Sequence, residues 1–127
     1  MLAGLSPQLD DIEYVFVRLE ATRAMPAAAD ILASFREPEA TTLILERDRA
    51  AALGFEPIAH CARITLGVFS DLHAIGLIAA VSARLAQAQI PLNVFSAIHH
   101  DHLFVPPQQA HEALAALQDM ASAARPA

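Results

Sequence analysis

The chain has 127 residues, 55% apolar and 17% charged, with a net charge of −6. That length fits one ordinary domain or one fold unit with two halves. The eight basic residues form no stripe along any segment, which argues against nucleic acid as a direct partner, and the single cysteine, Cys61, excludes an internal disulfide framework and fits a reducing, cytoplasmic compartment. Met1 to Asp10 lacks the basic region and apolar run of an export signal. The most apolar stretch, Ala74 to Val81, is far shorter than the roughly 20 residues that span a bilayer, so no membrane partner is expected. The apolar content, much of it alanine, favours a homodimer that buries a face between subunits.

In chain order, Glu13 to Glu20 is a run of aromatic and β-branched residues that predicts a strand. Met25-Pro26 and the alanines after it break the pattern. Ile31 to Phe35 then predicts a second strand, Glu37-Pro38-Glu39 a turn, and Thr41 to Glu46 a third strand that pairs with the second as a hairpin. Asp48 reads as the N-cap of a short helix over Arg49 to Leu53, with Gly54 ending it in the left-handed conformation.

The second half has a clearer pattern. Ile64, Leu66 and Val68 alternate with Thr65, Gly67 and Phe69, predicting a strand covered at least partly on both faces. Ser70 or Asp71 is expected to cap a long helix reaching about Gln89, which Pro91 ends. Leu92 to Ile98 predicts a strand, His99-His100-Asp101 a turn, and His102 to Val105 another strand. Pro106-Pro107 precedes a final helix with Ala110, Ala113, Leu114, Leu117 and Met120 on one face, and the tail from Ser122 reads as frayed. The order is β-α-β-β-α; the first half repeats that plan with its first helix lost or shortened. An α+β fold follows, with helices on one face of a largely antiparallel sheet, and halves at 1–60 and 61–127.

Two segments carry candidate chemistry. The strand-to-helix joint Ser70-Asp71-Leu72-His73-Ala74-Ile75-Gly76-Leu77 would present helix N–H groups and positive dipole to a carboxylate or phosphate, with Gly76 admitting close approach; the plainer reading is a cap and a packing glycine. The cluster His99-His100-Asp101-His102 holds metal-ligand and acid–base types, with His60 and Cys61 elsewhere, yet is equally what a hairpin turn requires. Asn93 at a strand start could bond a ligand or the Pro91 turn. Cys61 reads as a small buried apolar residue.

The β-α-β-β-α order, the segment ITLGVFSDLHAIGLIAAVSARLAQAQIPLNVFSAIHHDHLFVP and the opening Leu5-Ser6-Pro7 resemble a family of small bacterial tandem ACT-domain proteins, over nearly the whole chain. The resemblance implies a ferredoxin-like ACT fold in two halves, the first degenerate. It implies a non-enzymatic regulatory module with no cofactor, binding an amino acid or similar small carboxylate where ACT units meet. Carried over by position, it nominates Ser70, Asp71, Leu72, Ala74, Ile75, Gly76 and Leu77, with Asn93, Val94 and Phe95 on the next strand. His100, Asp101 and His102 match the family's HDH-hydrophobic-F-V-P stretch. The family's Glu-Gly-hydrophobic-Thr pattern is replaced here by Glu39-Ala40-Thr41-Thr42. Two other readings are a metal-responsive protein using His100 and His102, and a purely structural interaction module.

Overall fold

Two units organise the chain in the computed structural model, which describes residues 2–68, 73 and 75–124. The C-terminal unit comprises residues 1–11 and 62–127; the N-terminal unit is Ile12–Cys61. In chain order the elements are β1 (Pro7–Leu19), β2 (Ala33–Arg36), β3 (Thr41–Glu46), α1 (Arg47–Ala52), β4 (Ala59–Leu66), α2 (Leu77–Gln87), β5 (Asn93–Ser96), β6 (Asp101–Val105) and α3 (Ala110–Ala123). Among the described residues no helix is long and apolar enough to cross a membrane.

In the N-terminal unit the strands run β2-β3-β1-β4. The expected hairpin is present, with Phe35 opposite Thr42 and β3 antiparallel to β1. Where a helix would join the first two strands there is only a 3₁₀ turn at Ala28–Asp30, as the proline and alanine break implied. Asp48 is not a cap: α1 starts one residue before it, behind Glu46, and Asp48 lies in the first turn against Arg47, where its charge suits the helix dipole. Gly54 takes φ +79°, the left-handed end that was expected. The core of this unit gathers Val15, Val17 and Leu19 with Leu43, Leu45, Ala50 and Phe55.

In the C-terminal unit the order is β1-β4-β6-β5, with α2 and α3 supplying the buried Val81, Leu85, Ala113 and Leu117 that cover Ile64, Leu66, Leu103 and Val105. The α+β class and the antiparallel sheet with helices on one face are those read from the sequence. α2 buries Leu77, Val81 and Leu85 along one stripe. α3 continues to Ala123, past the residue at which fraying was expected.

The larger departure is β1. Its run starts at Pro7 rather than Glu13, because Gln8, Asp10 and Asp11 have no strand signature of their own. Pairing beside β4 and the 2.8 Å ion pair from Arg63 Nη2 to Asp10 Oδ2 supply what local propensity lacks. Leu5, fully buried, enters the C-terminal core. Residues 1–11 thus group with 62–127.

Gly67 receives this segment. Its N–H donates to the carbonyls of Leu5 and Ser6, at 2.9 and 3.1 Å. A Cβ added at Gly67 would lie 2.8 Å from Ser6 Cβ and 2.9 Å from Ser6 O, inside contact distance. Gly67→Ala is therefore expected to cost roughly 1–3 kcal/mol, read as a lower denaturant midpoint at unchanged slope. Adding Ser6→Gly, which removes the nearest atom at a residue with φ +43°, should recover part of the loss. A Gly67→Ala protein as stable as the parent would show that the contact is not tight.

Candidate functional site

The β5–β6 turn and the start of β6 meet the C-terminal end of β4. Side chains alternate along a strand, so Ala62, Ile64 and Leu66 enter the core while Arg63 and Thr65 face the other way. Register then sets His102 opposite Thr65 and Phe104 opposite Arg63. Phe95 and Asn93 follow on β5, opposite His102 and Phe104. The helix-free face of this unit is thus built from Asp10, Arg63, Thr65, His102, Phe104, Asn93 and Phe95. Phe95 meets Phe104 edge to face at 5.8 Å, and Asn93 is exposed at the strand start. Val94 is on the opposite side, half-buried against the core.

The β5–β6 turn, closed by Ala97 N–H to His100 O at 3.1 Å, lies at the same end of the sheet. His100 Nδ1 is 2.9 Å from the Leu66 carbonyl. A carbonyl can only accept, so Nδ1 carries the hydrogen and the neutral ring keeps Nε2 as an acceptor. His102 Nδ1 is 3.1 Å from Thr65 Oγ1. Burial, then the charges of Arg63 and His100, hold the His102 imidazole below its ordinary pKa, with Asp101 opposing them. Asp101, 5% exposed, is the sole charged side chain in the buried class among the described residues.

α2 does not begin where Ser70 or Asp71 would cap it. Its first residue is Leu77, and the N-cap is Gly76, at φ +103°. Among the described residues nothing approaches within 4 Å of a Cβ built on Gly76, and its φ of +103° is one that glycine adopts freely. Glycine has no side chain to cap the first turn, and the first intrahelical bond is Ala80 N–H to Gly76 O. The N–H groups of Leu77, Ile78 and Ala79 precede that bond and form a donor set suited to an anion. Leu77 itself is buried, while Ile75 is 93% exposed and Ile98, on the β5–β6 turn, 67%. Ser70, Asp71, Leu72 and Ala74 lie outside the described residues.

Register and these bonds gather His100, Asp101 and His102 at the C-terminal end of β4, with Phe95 nearer to it than Asn93. Among the described residues no three His, Cys, Asp or Glu side chains converge as a metal set. His60 and Cys61 belong to the N-terminal unit, where His60 Nδ1 is 2.8 Å from Glu13 Oε2. Cys61 is buried as expected; burial and then the charge of Glu13 push its thiol up to about 12, so it is not a thiolate at neutral pH. Thr65 and the Leu66 carbonyl are partners that the sequence reading missed. The period-two alternation through 63–66 was the signal that could have found Thr65.

Two family profiles, each described as an ACT domain, match residues 1–62 and 59–119. A solved structure of a protein of unknown function from Vibrio cholerae, described as a possible transport protein, is 39% identical to this chain, covers 94% of it and 92% of its own length, and superposes with a TM-score of 0.80. A protein from Agrobacterium tumefaciens is 22% identical over 91% of this chain and 88% of its own, TM-score 0.70. The ligand-free regulatory subunit of aspartate kinase from Thermus thermophilus is 13% identical over 93% and 98%, TM-score 0.63, a similarity of fold. A search of curated proteins gave no match.

The His102 environment fixes a pH response. Its folded pKa is lowered, so the unfolded chain takes up the proton first. The stabilisation is present above the ordinary value of about 6.5 and is lost as pH falls below it. Thermal unfolding followed from pH 7.5 to 5.5 should fall less steeply for His102→Gln than for the parent; parallel curves would contradict this environment.

Proposed function

Since the chain belongs to the tandem ACT-domain proteins, with an ACT match in each half, we propose that it is a non-enzymatic regulatory module that binds an amino acid or similar small carboxylate. The effector's carboxylate lies at the start of α2, and the rest of it reaches toward Phe95 and Asn93 or toward the equivalent strand of a second copy. The observation that carries this reading is the glycine-initiated α2, whose first turn has no capping side chain from its own N-cap. A ligand carboxylate supplies the acceptor that a serine or aspartate cap gives other helices. Ile75, beside Gly76, and Ile98, on the β5–β6 turn, are both exposed, which supports a homodimer that covers them. The module works in the cytoplasm, and binding is read out by a separate partner.

A thermal-shift screen of the full chain against the twenty amino acids tests the reading. A ligand at about 100 times its Kd should add roughly 2.7 kcal/mol to folded stability. Asn93→Ala, at an exposed site, should weaken that ligand about tenfold without lowering the stability of the free protein. Stabilisation by divalent metals alone, lost in His100→Ala/His102→Ala, would overturn the reading in favour of a metal-responsive protein. No stabilisation by any amino acid would also overturn it.

A further inference from the structure

The N-terminal unit carries a cavity of its own. On β1, Val15, Val17 and Leu19 enter the core, which turns Phe16 and Arg18 to the opposite face. Arg18 lies opposite Thr42 on β3. Beside them, at the hairpin end of β2 and β3, a cavity of about 370 Å³ opens, walled by Phe16 and Ile58 and rimmed by Arg18, Glu37, Glu39 and Thr42. That volume is at the lower end of the range of small-molecule sites.

Its polar rim is ordered. The Glu37 N–H closes the turn on Ala40 O at 3.1 Å, and Thr42 Oγ1 donates to Glu37 Oε1 at 2.7 Å, holding that carboxylate beside the opening. Arg18 makes only a loose 3.8 Å contact with Glu20 and forms no ion pair with Glu37 or Glu39 among the described residues. Opposite charges therefore border one cavity without neutralising each other. Ile58, 65% exposed, is held as a wall by its N–H bond to Phe16 O at 2.8 Å. Ala40 does not take positive φ, so the replacement of glycine at this turn leaves it unstrained.

We propose that this cavity binds a small zwitterion carrying an ammonium and a carboxylate on an aliphatic body. The valences match. An ammonium has three donors to share between Glu37 and Glu39, the Arg18 guanidinium can take one carboxylate through two parallel bonds, and the aliphatic body covers Phe16 and exposed Ile58. This is a second site, in the other unit from the one proposed above, and does not depend on it.

The test is an NMR titration of amide shifts in the full chain with L-alanine, L-valine, L-leucine, L-isoleucine and L-methionine. Leucine's decarboxylated and deaminated analogues, 3-methylbutylamine and 4-methylpentanoate, serve as single-charge probes. At least one amino acid should shift the amides of residues 37–42 and 58, and each single-charge analogue should bind at least tenfold more weakly than leucine. Arg18→Gln and the double variant Glu37→Gln/Glu39→Gln, all at surface positions, should each weaken the amino acid at least tenfold while the rest of the spectrum is preserved. Shifts confined to residues 75–80 would overturn this site and leave the α2 site standing. Shifts confined to 37–42 and 58 would do the reverse. Silence at the hairpin with all five amino acids, or equal binding of the single-charge analogues, would overturn it outright.

Discussion

The close approach of Gly67 to the Leu5–Ser6 backbone is the constraint on which the C-terminal unit depends. A strand that arrives from the far end of the sequence has to be held beside β4, and it brings two acidic residues and a proline with it. Gly67 admits it at a distance no side chain would tolerate, Arg63 neutralises Asp10, and Leu5 fills the core. The first part of β1 therefore completes one unit while its continuation forms the central strand of the other. The order β1-β4-β6-β5 in one unit answers to β4-β1-β3-β2 in the other, so each has a four-strand sheet in which an inserted strand stands beside the first strand of its own β-α-β-β-α run.

The same constraint positions the candidate site. Gly67 follows directly on Leu66, whose carbonyl holds His100, and Thr65 holds His102. The end of β4 is thus pinned by the N-terminal segment on one side and by the β5–β6 turn on the other. α2 starts from a glycine in a conformation that L residues avoid. Backbone conformation, and not a capping side chain, sets where its first N–H groups point.

Much of this was legible in the residues. Alternation through Ile64, Leu66 and the strand after Pro91 gave the second unit's elements in order, and the Pro26 break announced the missing helix of the first. Three things were not legible, each for a physical reason. Polar Gln8, Asp10 and Asp11 form a strand only because β4 and Arg63 are waiting for them, a tertiary effect that local propensity does not carry. The start of α2 was misread because Ser70 and Asp71 have the chemistry of caps, while the chain uses Gly76 six residues after Ser70. The pairing of His100 with Leu66 and of His102 with Thr65 depends on register, and register between strands 35 residues apart cannot be read from either alone. The histidine turn was legible; its bonds to β4 were not.

Hydrogen exchange on a chain lacking residues 2–11 tests the strand exchange most directly. Deletion should expose the amides of residues 62–66 and collapse protection in α3, which packs against the 3₁₀ turn at Leu2–Gly4, while β2 and β3 keep theirs. Full protection of β4 and α3 in the shortened chain would contradict the account, because the C-terminal unit would then fold without its borrowed strand.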